Sequence, residues 1–139
     1  MRNITIIACT ALATAIFATG VMAHGDMAPQ PIDTTGLEPL GEEWRATNPY
    51  RGNPKAIEIG ARGYNSNCAR CHGLDVKSGG MAPDLRMLES SDEGDAWFLM
   101  RIRSGAKRDD RVKMPPFEGI LSQEAMWAIR SYIESQPKD

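Results

Sequence analysis

The feature that most constrains this chain is the run CARCH at residues 68–72, in which a histidine directly follows two closely spaced thiols. The remaining cysteine, Cys9, lies in an apolar segment near the N-terminus. A disulfide between Cys68 and Cys71 would close so small a loop that it would constrain the unfolded chain very little. The two thiols therefore indicate a cofactor or redox role rather than a structural crosslink.

Three kinds of site use closely spaced cysteines. A thioredoxin-like dithiol needs βαβ surroundings, which the sequence does not show, and a zinc site needs two further ligands, for which only His24 remains. In c-type haem attachment the two thiols form thioethers with the porphyrin edge, and the adjacent histidine reaches the iron. We therefore expect Cys68 and Cys71 to bind one covalent haem c, with His72 as a metal ligand.

Methionine is the usual partner of histidine on the iron of electron-carrying cytochromes. The candidates in this chain are Met81, Met87, Met100, Met114 and Met126. Met114 is the preferred ligand because two prolines follow it directly and stiffen the backbone there. Met100 and Met126 lie in expected helices, where methionine more often fills gaps in a core. Because methionine often fills such gaps, the alternative remains open that Met114 only packs in the core and does not bind the iron.

The first 23 residues have the pattern of a secretory signal peptide. Arg2 is their only charge, an apolar run covers Ile4–Ala18, and small residues precede a cleavage site that we place after Ala23. The run is short for a membrane-spanning helix and no positive flank follows it, so we expect an exported protein without stable membrane insertion. Without Arg2 the chain has 15 basic and 18 acidic residues, which gives no indication of nucleic-acid binding.

Residues 24–53 are rich in proline and show little periodicity, which predicts an extended arm. Trp44 and Tyr50 favour packing of its second half against the domain that we assign to residues 54–139. The alternative is a mobile leader in which these aromatic residues are merely tolerated.

Three helices are expected in that domain. Asn53 and Pro54 are a suitable cap and first residue for a helix that runs to about Asn67. The acidic stretch 90–95 begins a second helix, which Gly105 ends, and Ser122 caps the last one, with one apolar face. The charged stretch 108–113 is expected to be a loop. The prediction is an all-α domain with so little apolar surface that a cofactor would have to complete its core.

The chain resembles the class I cytochromes c over residues 54–135. The residues that match in order and approximate spacing are Gly60, Tyr64, Cys68, Cys71, His72, Pro83, Leu85, Gly105, Met114, Pro115 and the helix of Trp127–Tyr132. The resemblance implies that His72 and Met114 ligate the iron, and that the Pro83 carbonyl accepts a hydrogen bond from His72 Nδ1. It also implies that Gly60 lets the first helix cross the last beside Tyr132.

Burial of a haem raises its reduction potential by disfavouring the extra positive charge of the ferric state. We expect four side chains to cover the ring: Tyr64, Leu85, Phe117 and Trp127. Three arginines are candidates to bind a haem propionate, with no ranking among them: Arg86, Arg101 and Arg111.

A closer resemblance includes the arm. The segments GLEPLGEEWRATNPYRGN (36–53) and KMPPF (113–117) are similar to those of the periplasmic cytochromes c-550 that accompany PQQ-dependent alcohol dehydrogenases. This resemblance implies a periplasmic electron carrier, rather than an enzyme, with that dehydrogenase as donor and a terminal oxidase as acceptor. The alternative is a small haem enzyme or sensor, peroxidase-like or gas-binding, in which Met114 is a labile ligand.

Overall fold

The computed structural model describes residues 28–138, so the expected leader, Cys9 and His24 lie outside the described part. In chain order the regular elements are α1 (Pro54–Asn67), α2 (Ala69–His72), α3 (Asp92–Ser104), β1 (Ala106–Arg108), β2 (Arg111–Met114) and α4 (Gln123–Glu134). Single 3-10 turns cover Leu74–Val76 and Leu85–Met87. The mostly helical architecture confirms the all-α prediction. Within residues 28–138, no helix has the length and apolar character needed to cross a membrane.

The long helices begin at the capping residues that the sequence indicated. The Asn53 side chain accepts hydrogen bonds from the backbone N–H groups of Lys55 and Ala56, at 2.9 and 3.2 Å. Ser91 caps α3 and Ser122 caps α4 in the same way. These side chains satisfy amide donors that have no partner inside the helix, which is why local sequence predicts the helix starts well.

The packing of α1 on α4 places the CARCH run. A Cβ atom on Gly60 would lie 1.9 Å from the carbonyl oxygen of Ala128, so only glycine allows the two backbones to come this close. One turn further on, the rings of Tyr64 and Tyr132 are 5.4 Å apart. This confirms the predicted crossing of the first and last helices, and it fixes the end of α1, where the run begins.

Helix α4 buries the predicted apolar face of Ala125, Ile129, Tyr132 and Ile133, and it buries a second, more polar face as well. Its buried residues include the polar side chains of Gln123, Arg130 and Ser131. The arm covers the second face: Glu124 accepts a hydrogen bond from the backbone N–H of Leu40 at 2.9 Å, and Gln123 donates to the carbonyl of Glu43 at 3.0 Å. The second half of the arm is therefore packed against the domain, and Tyr50 is only 4% exposed.

The stretch 108–113 is part of a β-hairpin, which corrects the expected loop. Strands β1 and β2 pair antiparallel, with Arg108 opposite Arg111 and Lys107 opposite Val112. Asp109 and Asp110 both have positive φ, 50° and 57°, as the central residues of a type I′ turn require. The sequence signal was weak because the two strands are only three and four residues long and largely exposed.

Candidate haem-binding site

The CARCH run forms a tight helical turn directly after α1. The carbonyl of Cys68 accepts hydrogen bonds from the backbone N–H groups of Cys71 and His72, at 3.1 and 2.9 Å. Gly73 ends the turn at a φ of 85°, and a Cβ atom there would lie 1.9 Å from the carbonyl oxygen of Lys77. The thiols and the imidazole are thus held on one short, rigid segment.

The imidazole of His72 is oriented by the loop that follows. His72 Nδ1 lies 2.9 Å from the carbonyl oxygen of Pro83. Because a carbonyl oxygen can only accept, Nδ1 is the donor in this contact, and Nε2 is the ring nitrogen left for another partner. A neutral imidazole with one nitrogen hydrogen-bonded and the other free is the form in which histidine binds a metal.

Met114 is held by the hairpin and by the residues around it. It is the last residue of β2 and pairs with Ala106. A Cβ atom on Gly105, whose φ is 70°, would lie 2.4 Å from the Met114 carbonyl oxygen. Just beyond, the backbone N–H of Phe117 donates to the carbonyl of Ile102 at 3.0 Å. The end of α3 therefore determines where Met114 lies.

One cavity of about 650 Å³ brings these groups together. Cys68, Cys71, His72 and Met114 all line it, although Met114 is more than 40 residues away from the thiols in sequence. Its apolar lining includes Leu85, Ile102, Phe117, Ile129 and Ile133. This volume is within the range of sites that enclose a large ligand. Two thiols, one imidazole and one thioether around an apolar space are the donor set that a c-type haem requires, so the residues present fit that group.

Two of the four predicted ring-covering residues lie elsewhere. Leu85 and Phe117 line the cavity, whereas Tyr64 and Trp127 are not among its lining residues. Tyr64 faces α4 and donates its hydroxyl hydrogen bond to the Gly73 carbonyl at 2.8 Å. The ring of Trp127 packs 6.1 Å from that of Phe98, between α3 and α4. Both aromatic residues therefore support the walls of the site from behind.

Sequence reasoning also missed part of the lining. Ala28 and Pro29 of the arm reach the cavity, and so do Trp97 and Val112. No local pattern marks these residues, because their position depends on how the arm and the hairpin fold back. Among the three candidate arginines, Arg101 lines the cavity, and its guanidinium lies 5.3 Å from the centre of the Trp97 ring.

The electrostatics of the thiols disfavour a redox-active dithiol. Burial, together with the neighbouring Cys71, raises the pKa of the Cys68 thiol to about 12, from an ordinary value of 9.0. A reactive dithiol needs the opposite shift, since the thiolate is the nucleophile. At neutral pH the free Cys68 thiol would stay protonated.

Comparison with known proteins agrees with this donor set. The family model described as cytochrome c oxidase, cbb3-type, subunit III matches residues 55–133, more than half of the chain. The chain belongs to this cytochrome c family. The cytochrome c550 of Pseudomonas aeruginosa is 61% identical over 118 residues, which cover 82% of this chain and 81% of that protein. No solved structure matches the chain.

Two larger relatives share only the cytochrome part. The quinohemoprotein alcohol dehydrogenases ADH IIB and ADH-IIG of Pseudomonas putida are 33% and 34% identical to this chain over 92 and 84 residues. These matches cover 66% and 60% of this chain, but 13% and 11% of the two dehydrogenases. Membership of the family and the similarity to cytochrome c550 identify the protein as an electron-transfer protein with one covalent haem c, rather than an enzyme.

Proposed function

We propose that this cytochrome is a periplasmic one-electron carrier in which His72 and Met114 are the axial ligands of the iron. Cys68 and Cys71 would form the two thioethers, and Pro83 would accept the hydrogen bond from His72 Nδ1. The observation that carries the proposal is that Cys68, Cys71, His72 and Met114 all line one cavity. The contact of His72 Nδ1 with the Pro83 carbonyl leaves Nε2 as the ring nitrogen available to a metal, which supports the histidine ligation.

The haem supplies the one-electron redox chemistry, and the chain determines which reactions are possible. If His72 and Met114 both bind the iron, they would leave no coordination position for oxygen or peroxide. The largely apolar lining would disfavour the more highly charged ferric state of a bound haem and so raise its reduction potential. Backbone hydrogen bonds hold His72 in its helical turn and Met114 in its strand, so both proposed ligands can stay in place during electron transfer.

As electron donor we propose a PQQ-dependent alcohol dehydrogenase, and as acceptor a terminal oxidase. The donor is supported by the two quinohemoprotein alcohol dehydrogenases that contain a segment similar to this chain. A separate carrier of the same type would receive the electrons of such a reaction one at a time. The periplasmic location rests on the leader expected at residues 1–23 and on the similarity to cytochrome c550.

The axial ligation is tested by Met114→Ala in the haem-loaded protein. We expect the variant to lose the ferric methionine-to-iron absorption band and to bind cyanide readily, since one coordination position becomes open. Met100→Ala is the matched control, because Met100 is 49% exposed on α3 and is not a lining residue. Retention of the band in Met114→Ala would exclude this ligand.

The partners are tested by mixing the oxidised carrier with a purified PQQ-dependent alcohol dehydrogenase. Addition of a primary alcohol should reduce the carrier, whereas omission of the alcohol should leave it oxidised. Membranes that contain a terminal oxidase should then reoxidise it with uptake of oxygen. A carrier that ascorbate reduces, but that the dehydrogenase and its alcohol do not, would rule out the donor.

A further inference from the structure

The carbonyl that orients His72 belongs to an exposed loop. Pro83 itself is exposed, as are Gly79, Gly80 and Met81 just before it. The loop between α2 and α3 contains only two single 3-10 turns, so regular secondary structure does not hold this carbonyl. Contacts made by the loop side chains must therefore keep the Pro83 carbonyl oxygen 2.9 Å from His72 Nδ1.

Ser78 makes hydrogen bonds to two residues of the loop that precede Pro83. Its Oγ donates to the carbonyl of Ala82, the residue before Pro83, and accepts from the backbone N–H of Gly80 at 3.1 Å. One serine side chain thus holds together the exposed residues that lead to the Pro83 carbonyl. Asp84 follows Pro83 directly in the chain.

Asp84 connects this arrangement to the rest of the fold. The Arg86 guanidinium donates to both oxygens of its carboxylate, from Nε at 3.1 Å and from Nη2 at 2.8 Å, which is a bidentate contact of the stronger kind. The backbone N–H of Arg86 donates to the same carboxylate at 3.0 Å. The Arg86 side chain is only 10% exposed, and it also donates to the carbonyl of Pro137 beyond α4 at 3.3 Å. The loop is therefore anchored to the C-terminal end of the described chain.

We propose that Ser78 and Asp84 are positioning residues that hold the Pro83 carbonyl against His72 and thereby set the basicity of the iron-binding imidazole. The inference rests on the proposed ligation by His72. A well-placed acceptor at Nδ1 increases electron donation from Nε2 and favours the ferric state, so a loosened acceptor raises the reduction potential. A role in folding alone would change stability but not this hydrogen bond.

The test compares Ser78→Ala and Asp84→Ala with the wild-type haem-loaded protein. The first measurement is the exchange of the His72 Nδ1 proton with deuterated solvent, followed by proton NMR of the reduced protein. We expect exchange to be about tenfold faster in each variant, since one or two hydrogen bonds that close the loop are lost. The second measurement is the reduction potential, which should shift upward in both.

Conservative variants and a remote control separate positioning from folding. Ser78→Thr keeps the hydroxyl and should restore slow exchange, and Asp84→Asn keeps an acceptor for the Arg86 N–H in case Asp84→Ala does not fold. Glu58→Ala removes a comparable carboxylate from the pairs with Lys55 and Arg62 on α1, and should leave exchange and potential unchanged. Lower melting temperatures with wild-type exchange and potential would overturn the proposal. A wild-type protein whose spectrum shows no histidine ligation would instead refute the proposed function, and this inference with it.

Discussion

Asp95 on α3 and Arg130 on α4 form an ion pair of 2.9 Å in which neither side chain is exposed to solvent. The second carboxylate oxygen of Asp95 accepts from the Arg51 guanidinium at 2.6 Å and from the backbone N–H of Asn48 at 2.7 Å. Glu134 contacts both arginines, at 3.0 and 3.2 Å. One buried group of charges therefore joins the arm, α3 and α4.

We expect Asp95→Ala to lower the free energy of unfolding by about 3–5 kcal/mol, because it leaves the buried Arg130 charge without its main partner. Urea denaturation followed by circular dichroism measures this loss. Glu118→Ala is the control, since Glu118 makes an exposed pair with Arg103 at 2.7 Å and its removal should have little effect. Equal urea midpoints for the two variants would contradict the buried-pair account.

Replacement of Gly60 should separate the two helices that define the fold. Because the added methyl group would meet the Ala128 carbonyl, we expect Gly60→Ala to destabilise the protein by about 1–3 kcal/mol through overpacking. Gly79→Ala adds the same group where no atom lies within 4 Å and should leave the melting temperature unchanged. Thermal denaturation of both variants checks the prediction, and a Gly60→Ala protein as stable as wild type would show that the helix crossing can relax.

Gly105→Ala should weaken the proposed ligation by Met114 without changing the Met114 side chain itself. The substitution both strains a backbone at positive φ and pushes against the Met114 carbonyl, whereas Gly119→Ala has the strain alone, at a φ of 84° with open space around it. We expect the ferric Gly105→Ala protein to bind cyanide about tenfold more tightly than Gly119→Ala does, which corresponds to about 1.4 kcal/mol of weakened ligation. Equal cyanide affinities of the two variants in a spectrophotometric titration would show that Gly105 does not support ligation by Met114.

Stability at acidic pH should depend on Asp84. Hydrogen bonds from Arg86, against the opposing effect of partial burial, lower the pKa of this carboxyl from 3.8 to about 2. Since the pKa is lower in the folded state, the carboxylate stabilises the fold fully above about pH 4, and this contribution is lost as the pH falls through 2. We expect Asp84→Asn to lose less stability than wild type across this window, measured by urea denaturation at each pH. Parallel curves would mean that Asp84 does not contribute.

Local chemistry determined much of this protein from the sequence alone. The start of α1 followed from Asn53 and Pro54, because a cap and a first-turn proline act within one helical turn. The haem c followed from the CARCH run, because thioether attachment needs thiols and an imidazole at a fixed short spacing. The choice of Met114 drew on the prolines beside it, and the structure places it on the same cavity as His72.

Contacts between distant segments decided the rest. Whether Tyr64 faces the cavity or α4, and whether the second face of α4 meets water or the arm, depends on packing partners that no short window of sequence contains. The position of Ala28 and Pro29 at the cavity has the same origin. A capping or attachment motif is complete within a few residues, whereas burial is a property of surfaces that meet only when the whole chain has folded, and so only the tertiary structure reveals it.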